Sequence, residues 1–134
     1  MNYTYVAKVL KVIDADTIKL SIYLTPRTRS KSRDFGFHIY NEGGRLALHE
    51  SVRLAGLNAA ERGTPEGDSA TEFVKSVVQP GDLIKVTFSK AGGSQEKYGR
   101  WIGQIILSDG TNLNEELIKT NHALPWDGTG KRPV

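Results

Sequence analysis

Residues 6–24 read VAKVLKVIDADTIKLSIYL, and their hydropathy pattern decides the class of the fold. Apolar and polar residues alternate with a period of two over residues 18–24. Residues 5–12 are also read as a strand, with Val6, Lys8, Leu10 and Val12 on one face and Tyr5, Ala7, Val9 and Lys11 on the other. A period of two is typical of a β-strand that turns one face to the core and the other to water. The stretch therefore predicts two strands, with residues 14–16 (DAD) between them.

The chain on the carboxyl side continues mainly as strands. Residues 25–34 (TPRTRSKSRD) are basic and lack periodicity, which predicts a loop. Alternation resumes at Phe35, Phe37 and Ile39, and the NEGG sequence that follows predicts a turn. Further strands are predicted over residues 46–57, 84–88 and 101–107.

Two helices are predicted from apolar spacing and capping residues. Ser69 and Glu72 match a capping box at the start of the first helix, and Pro80 follows its end. Asn112 begins a second, short helix, and residues 125–134 are rich in Pro and Gly, which predicts an irregular tail. The apolar face of the first helix has the spacing i, i+3, i+4 and i+7, at Ala70, Phe73, Val74 and Val77.

The order of elements favours a small closed barrel of mainly β structure. Five or more antiparallel strands with one helix inserted before the fourth are typical of the OB-fold, and a general α+β fold is the alternative. A length of 134 residues fits one domain, so we expect residues 1–134 to form a single unit. Within it, residues 25–51 form an inserted basic loop and hairpin.

Composition excludes several classes of chemistry and suggests a polyanionic partner. The chain has no cysteine, which excludes disulfides, thiolate zinc sites, iron–sulfur clusters and a cysteine nucleophile. Residues 1–33 contain seven basic and two acidic residues, and this asymmetry favours one positive face. No apolar run is long enough to span a membrane, and Met1 lies directly before the first strand without a signal peptide. We therefore expect a cytoplasmic protein with no membrane partner.

Two carboxylates near the end of the first strand have two interpretations. Asp14 and Asp16 are two residues apart, and side chains at that spacing share one face of a strand. Their charges repel unless a cation lies close to them, so a metal site would explain the pair. A turn would also explain it, because aspartate is common in turns.

Two later segments also contain polar residues among apolar ones. Arg53 lies inside an apolar strand, where a guanidinium must be paired or must face a polar pocket. Asn58 and Glu61 follow the end of that strand and could present oxygen ligands; an edge-strand arginine that reaches into water is the alternative. Residues 96–101 (EKYGRW) on their own predict a solvated hairpin.

Taken in order, these motifs resemble a known family. The sequence has Asp-x-Asp-Thr at residues 14–17, Arg-Leu-x-Gly-Leu-Asn-x-x-Glu at residues 53–61 and Lys-Tyr-Gly-Arg at residues 97–100. Together they are similar to the thermonucleases, the staphylococcal nuclease-like proteins. Residues 114–118 (NEELI) resemble the helix after the last barrel strand of that family, so the resemblance runs from Tyr5 to Trp126.

The resemblance implies a five-stranded OB-fold barrel that hydrolyses phosphodiester bonds in DNA and RNA with Ca²⁺. We expect a monomer. The implied ligands of the ion are the side chains of Asp16 and Asn58 and the backbone carbonyl of Ala59, with Asp14 and Thr17 directly behind them. Glu61 would activate the attacking water, Arg53 and Arg100 would bind the phosphate, and Lys97 and Tyr98 would line the nucleotide pocket.

The chemistry of these residue types agrees with the implied roles. Ca²⁺ is a hard cation that prefers several oxygen ligands, which carboxylate, amide and carbonyl groups supply. A glutamate carboxylate can accept a proton from water. Planar guanidinium groups match the oxygens of a phosphate with paired hydrogen bonds, which lysine cannot do.

The sequence departs from the family pattern near the implied metal site. Asn58 stands where an aspartate is usual, Ala59 where a threonine is usual and Ala60 where a proline is usual. A basic insertion containing Arg27 and Arg33 also separates the first two motifs. The loss of one carboxylate leaves a second hypothesis open, that of an OB-fold nucleic-acid-binding module with weak or no catalysis.

Overall fold

The fold was analysed in a computed structural model that describes residues 3–25, 33–36, 39–88, 94–95 and 101–126, with the backbone alone for 33–36 and 94–95. Its strands are β1 (Tyr3–Asp14), β2 (Thr17–Tyr23), β3 (Arg33–Gly36), β4 (Ile39–Glu42), β5 (Arg45–Leu54), β6 (Leu57–Asn58), β7 (Leu83–Phe88), β8 (Ser94–Gln95), β9 (Trp101–Ile106) and β10 (Leu124–Pro125). The helices are α1 (Pro65–Val77) and α2 (Leu113–Lys119).

Five strands close into a barrel. They are hydrogen-bonded in the order β5, β2, β1, β7 and β9, and a parallel pairing between β5 and β9 completes the ring. Strands β3 and β4 extend the sheet beyond β5, and β8 pairs with β9. The predicted closed OB-type barrel of mainly β structure is therefore confirmed.

The barrel interior and the faces of both helices form one apolar core. Asn114 of α2 braces this core from its edge: its side-chain oxygen accepts from the N–H of Ile105 at 3.1 Å, and its amide nitrogen donates to the carbonyls of Ala55 at 2.9 Å and Gly103 at 3.1 Å. These three bonds satisfy a buried amide and tie α2 to both strands that close the ring. Core side chains with no exposed surface include Val9, Ile18, Leu20, Leu54, Val74, Val86, Ile105, Leu113 and Leu117.

Helix α1 begins earlier than the sequence pattern predicts. Its N-cap is Thr64, whose hydroxyl accepts the backbone N–H of Gly67 at 3.0 Å, and Pro65 is its first residue. The predicted capping box at Ser69 and Glu72 is wrong, because both residues lie within the helix. The first turn lacks apolar residues, so the helical periodicity becomes visible only at Ala70.

Two predicted strands are each divided by a reversal of the chain. Phe35 and Ile39 were predicted on one strand, but they lie on β3 and β4, which pair as an antiparallel hairpin; Phe37 lies outside the described residues. The long strand over residues 46–57 ends at Leu54, and Gly56 adopts a left-handed φ of 79° in the turn before β6. That conformation favours glycine.

β-Strands extend into the predicted loop over residues 25–34 and into the first residue of the predicted irregular tail. The predicted loop reaches into β3, which begins at Arg33. Pro125, the first residue of the predicted irregular tail, pairs with Leu57 as part of β10. In the described part of the chain, neither helix has the length and hydropathy needed to cross a bilayer. The monomeric state, the cytoplasmic location and the extent of the single domain stay predictions.

Candidate functional site

The two aspartates lie where β1 turns into β2. Asp14 ends β1 opposite Thr17, and Asp14 Oδ1 accepts the backbone N–H of Asp16 at 3.2 Å. The Thr17 hydroxyl donates to Asp16 Oδ1 at 3.2 Å, and Asp16 is only 7% exposed. The turn interpretation is therefore correct, and the turn also buries a carboxylate at one end of the barrel. A buried carboxylate requires compensating partners.

Arg53 provides one of these partners from the end of β5. Its Nη2 atom lies 4.0 Å from Asp16 Oδ2 and donates to the carbonyl of Leu57 at 3.2 Å, while Nη1 donates to the carbonyl of Leu54 at 3.3 Å. The guanidinium carbon lies 5.3 Å from the centre of the Trp126 ring. Arg53 is 8% exposed, and β5 lies between β2 and β9 in the barrel. The interpretation as an edge-strand arginine is therefore wrong.

Strand β6 brings a second set of oxygen atoms to the same end of the barrel. Asn58 has no exposed surface, and its backbone pairs with Leu124 of β10. The N–H of Ala59 donates to Asp16 Oδ2 at 3.4 Å. This bond joins the segment after β6 directly to the turn between β1 and β2. The structure therefore places the Arg53 guanidinium and the Ala59 N–H beside the Asp16 carboxylate, while the role of the Ala59 carbonyl stays a prediction.

Glu61 is exposed on the connection between β6 and α1. Its backbone carbonyl accepts the Thr64 hydroxyl at 2.8 Å and the Thr64 N–H at 3.3 Å. The next residue, Arg62, donates from Nη1 to the carbonyl of Ile13 at 2.6 Å, next to Asp14. The connection therefore contacts the end of β1 just before the aspartate turn. The contact is made by Arg62, the residue that follows Glu61.

Several predicted site residues lie outside the described part of the chain. They are Lys97, Tyr98 and Arg100, and from the basic insertion Arg27, Arg29 and Lys31. Strand β9, which follows Arg100, begins at Trp101 beside Val52 in the parallel pairing with β5. The roles of these six residues stay predictions.

Two contacts at the site could not be predicted from the sequence: that of Trp126 with Arg53, and that of Arg62 with the Ile13 carbonyl. Trp126 lies far along the chain from Arg53, and nothing in its local sequence marks it as a partner of a guanidinium. Arg62 could have been suspected from its charge directly after Glu61, but its acceptor, the Ile13 carbonyl, carries no sequence signal. Both contacts depend on the closure of the barrel.

The donor atoms at this end of the barrel suit a hard cation. In the described ranges no three His, Cys, Asp or Glu residues are grouped closely enough to hold a metal by themselves. The Asp16 carboxylate, the Asn58 amide and backbone carbonyls are all oxygen donors, and burial of Asp16 and Asn58 reduces competition from water. The residues therefore fit Ca²⁺ in donor type, with fewer charged ligands than the family pattern.

An open cleft of about 520 Å³ lies between the end of β6, the start of α1 and residues 121–124. Ala60, Pro65 and His122 line it, and Asn58 borders it without any exposed surface of its own. The Asp16 and Arg53 side chains do not line this cleft.

Comparison with known proteins assigns the family. The family model described as "Staphylococcal nuclease homologue" matches residues 51–127, more than half of the chain. The chain belongs to the staphylococcal nuclease homologue family. The predicted resemblance to the thermonucleases is therefore confirmed. The match includes Arg53 and Glu61, whereas the Asp14–Asp16 turn lies before its start.

Curated relatives of this family member are named as nucleases. The chain is 29% identical over 113 residues to "Endonuclease YhcR" of Bacillus subtilis (strain 168), which covers 84% of the chain and 8% of that protein. It is 29% identical over 83 residues to an "Uncharacterized endonuclease" of Escherichia coli O157:H7, covering 62% and 51%. It is 32% identical over 88 residues to "Probable staphylococcal-like nuclease CAN1" of Oryza sativa subsp. japonica, covering 66% and 25%. The chain thus spans about half or less of the length of these relatives.

Proposed function

We propose that this chain is a nuclease that hydrolyses phosphodiester bonds in DNA and RNA with the help of Ca²⁺. The observation that carries the proposal is the buried guanidinium of Arg53, held 4.0 Å from the buried carboxylate of Asp16 in a barrel of this family. Membership of the family and the nuclease names of its relatives support the same activity.

We propose that Asp16, Asn58 and the Ala59 carbonyl hold the cation, and that Asp14 and Thr17 keep Asp16 in position through the turn. Bound Ca²⁺ would stabilise negative charge on the phosphate as a Lewis acid. The oxygen-only donor set and the burial of Asp16 and Asn58 support this assignment.

Arg53 binds the scissile phosphate in this mechanism. Hydrogen bonds to the carbonyls of Leu54 and Leu57 fix the plane of the guanidinium before a substrate arrives. A fixed, partly desolvated positive charge stabilises the developing charge on the phosphate oxygens without reorganisation. Arg100 is proposed to add a second guanidinium, and Lys97 and Tyr98 to contact the nucleotide.

Glu61 is proposed as the base that takes a proton from the attacking water. Its exposed side chain can reach solvent, and its backbone is fixed to α1 through Thr64. A positioned carboxylate contributes roughly a hundredfold or more to such a reaction.

Cleavage of single-stranded DNA and of RNA by the purified protein, with Ca²⁺ and with chelator, tests the proposal. We expect cleavage with Ca²⁺ alone, and Arg53→Ala, Glu61→Ala and Arg100→Ala should each lower kcat by roughly a hundredfold or more. Binding of the nucleic acid should persist in Glu61→Ala, because Glu61 does not contact phosphate. If Glu61→Ala keeps more than about half of the wild-type activity, its role as the base is wrong.

A nucleic-acid-binding module is the second candidate, and Asn58 is the observation that favours it. An amide at this buried position removes one negative charge from the donor set. Binding of DNA without cleavage at millimolar Ca²⁺ would support the module and contradict the nuclease.

A further inference from the structure

The connection from Glu61 to Thr64 is a short, internally bonded bridge between β6 and α1. The backbone N–H of Gly63 donates to Asp68 Oδ1 at 2.9 Å, and the N–H of Asp68 donates to the carbonyl of Thr64 at 2.9 Å. The bridge is therefore attached to the first turn of the helix at more than one point.

The Thr64 hydroxyl makes two bonds of different kinds. It accepts the N–H of Gly67 at 3.0 Å, which is the ordinary bond of an N-cap residue. It also donates to the backbone carbonyl of Glu61 at 2.8 Å. The capping role requires only an acceptor, which aspartate or asparagine supplies equally well. The second bond requires a donor and acts on Glu61 alone.

Gly67 allows the helix to approach Glu61 closely. A Cβ atom added at position 67 would lie 1.8 Å from the Glu61 carbonyl oxygen and 2.7 Å from the Ala60 carbonyl oxygen. Both are backbone atoms, so they cannot move aside as a flexible side chain would. Glycine is disfavoured within helices, and the space that Glu61 occupies gives the reason for it here.

We propose that Thr64 and Gly67 are positioning residues that hold the backbone of Glu61 so that its carboxylate faces the scissile phosphate. This inference rests on the proposed nuclease function. The Glu61 side chain is exposed, so its direction depends on where its backbone is held. A displacement of about 1 Å in a catalytic group can lower a rate a hundredfold. The hydroxyl of Thr64 and the missing side chain of Gly67 both act on the same carbonyl.

Thr64→Asp separates positioning from capping. The side chain of an ionised aspartate still accepts the Gly67 N–H, but it cannot donate to the Glu61 carbonyl, which then keeps only the longer bond from the backbone N–H of residue 64 at 3.3 Å. We expect a melting temperature close to that of the wild type, a kcat on single-stranded DNA at saturating Ca²⁺ at least about tenfold lower, and little change in KM. Thr64→Ser keeps both bonds and should restore kcat.

Thr71→Val is the matched control. The Thr71 hydroxyl donates to the carbonyl of Gly67 at 2.9 Å, so this substitution removes a bond of the same type from the same turn without touching Glu61. We expect it to lower stability and leave kcat within about twofold of the wild type. Gly67→Ala should lower kcat as Thr64→Asp does, because a Cβ displaces the Glu61 carbonyl.

Two further measurements test the inference: the kcat of the double variant Thr64→Asp/Glu61→Ala, and the backbone order parameter of Glu61 from NMR relaxation. Thr64→Asp should have no further effect on kcat in the Glu61→Ala background, because the residue it positions is absent. The backbone order parameter of Glu61 should fall in Thr64→Asp and stay unchanged in Thr71→Val. Equal losses of kcat in those two variants, or an unchanged order parameter, would overturn the inference. Wild-type protein that cleaves nothing would instead overturn the proposed function, while the order parameter still tests the contact.

Discussion

At the scale of single residues, Asn58 tests the metal site. Its amide brings a dipole where aspartate would bring a charge, and two unit charges 4 Å apart interact by about 4 kcal/mol at an effective dielectric of 20. Desolvation of the new carboxylate offsets most of this, so Asn58→Asp should favour Ca²⁺ by about 1–2 kcal/mol, or roughly five- to thirtyfold in affinity. Half-maximal activity should therefore move to lower Ca²⁺ with less effect on kcat at saturation.

The same substitution has a second readout in the absence of the ion. A carboxylate at position 58 would be fully buried, one residue before Ala59, whose N–H contacts Asp16, so Asn58→Asp should lower the melting temperature in chelator and recover it in Ca²⁺. Asn112→Asp is the control: Asn112 is a half-buried N-cap whose oxygen accepts the Glu115 N–H, as an aspartate would. The loss of its donation to Gln104 should lower the melting temperature equally in chelator and in Ca²⁺. If Ca²⁺ changes the melting temperature of neither the wild type nor Asn58→Asp, the metal site has been assigned to the wrong residues.

Substitution of Arg53 by lysine tests whether the site needs the planar guanidinium group or only a positive charge. Arg53→Lys keeps the charge near Asp16 but loses the planar pair of nitrogen atoms that bind the Leu54 and Leu57 carbonyls. We expect kcat to fall by about a hundredfold while the fold persists. Arg45→Lys, at a guanidinium that stacks on Tyr23, should leave kcat unchanged. Equal activity of Arg53→Lys and wild type would mean that charge alone suffices.

Site residues could be predicted from the sequence where a charged side chain interrupted an apolar strand. Arg53 stands between apolar residues, which predicted either a partner or polar pocket for its guanidinium or an edge-strand position, and the structure provides Asp16 as the partner. Trp126 and Thr64 could not be predicted in this way. An aromatic residue in a Pro- and Gly-rich tail and a threonine in a loop are ordinary, and their roles arise from tertiary contacts.

At the scale of elements, Glu42 links the β3–β4 hairpin to the barrel. It accepts a hydrogen bond from His49, which stacks on Tyr40, and its Oε2 lies 3.4 Å from Lys8 Nζ and 3.5 Å from the hydroxyl of Tyr23. Partial burial acts to raise the pKa of Glu42, but the hydrogen bond from His49 and the charge of Lys8 outweigh it, so the pKa lies below its ordinary value of 4.5.

The lowered pKa fixes the sign of a pH effect. The folded state binds this proton less tightly than the unfolded state, so the contribution is fully present above the ordinary pKa of a glutamate and is lost as pH falls through the lower value of the folded state. Glu42→Gln should therefore cost about 0.5–1 kcal/mol of unfolding free energy at pH 6 and much less at pH 3. Urea unfolding at both pH values checks this, with Glu50→Gln on β5 as the control. A cost that grows as pH falls would contradict the assignment.

Element boundaries were the least predictable part of the fold, for two physical reasons. Ser69 and Glu72 match the capping-box spacing, whereas the true N-cap, Thr64, has Gly67 three residues later and shows itself only by the proline that follows it. Apolar alternation also ran through the reversal after Gly36, because both arms of the hairpin carry apolar residues. The five strands of the barrel were each predicted at their place in the chain, although β5 ends at Leu54, three residues earlier than predicted. The prediction was most direct for β7, where buried and more exposed residues alternate.

At the scale of the whole molecule, the basic insertion extends one side of the barrel. Strands β3 and β4 continue the sheet past β5, and Arg27, Arg29, Lys31 and Arg33 lie within seven residues of the chain on this insertion. Neutralising all four should weaken the binding of long single strands and reduce its salt dependence by up to about 2.8 log units per log unit of salt, at about 0.7 per charge. Cleavage of a dinucleotide should hardly change.

A second charge variant serves as the control for this prediction. Lys75→Gln combined with Lys119→Gln removes two positive charges from the last turns of α1 and α2, which are not part of the insertion in the sequence. We expect it to leave the salt dependence unchanged. An unchanged salt dependence in the fourfold variant would mean that the insertion is a solvated loop without a role in substrate binding.

The parallel pairing of β5 with β9 determines when the site can exist during synthesis. Arg53 stands opposite Ile102 across the seam that closes the ring, and Asn114 seals that seam later still in the chain. The ribosome synthesises β5 well before β9, so Arg53 of the nascent chain cannot yet lie in a closed barrel. Under the proposed function, this order of synthesis would protect the RNA around the ribosome. The messenger and the ribosomal RNA would meet no complete active site until the last strand of the barrel has been translated.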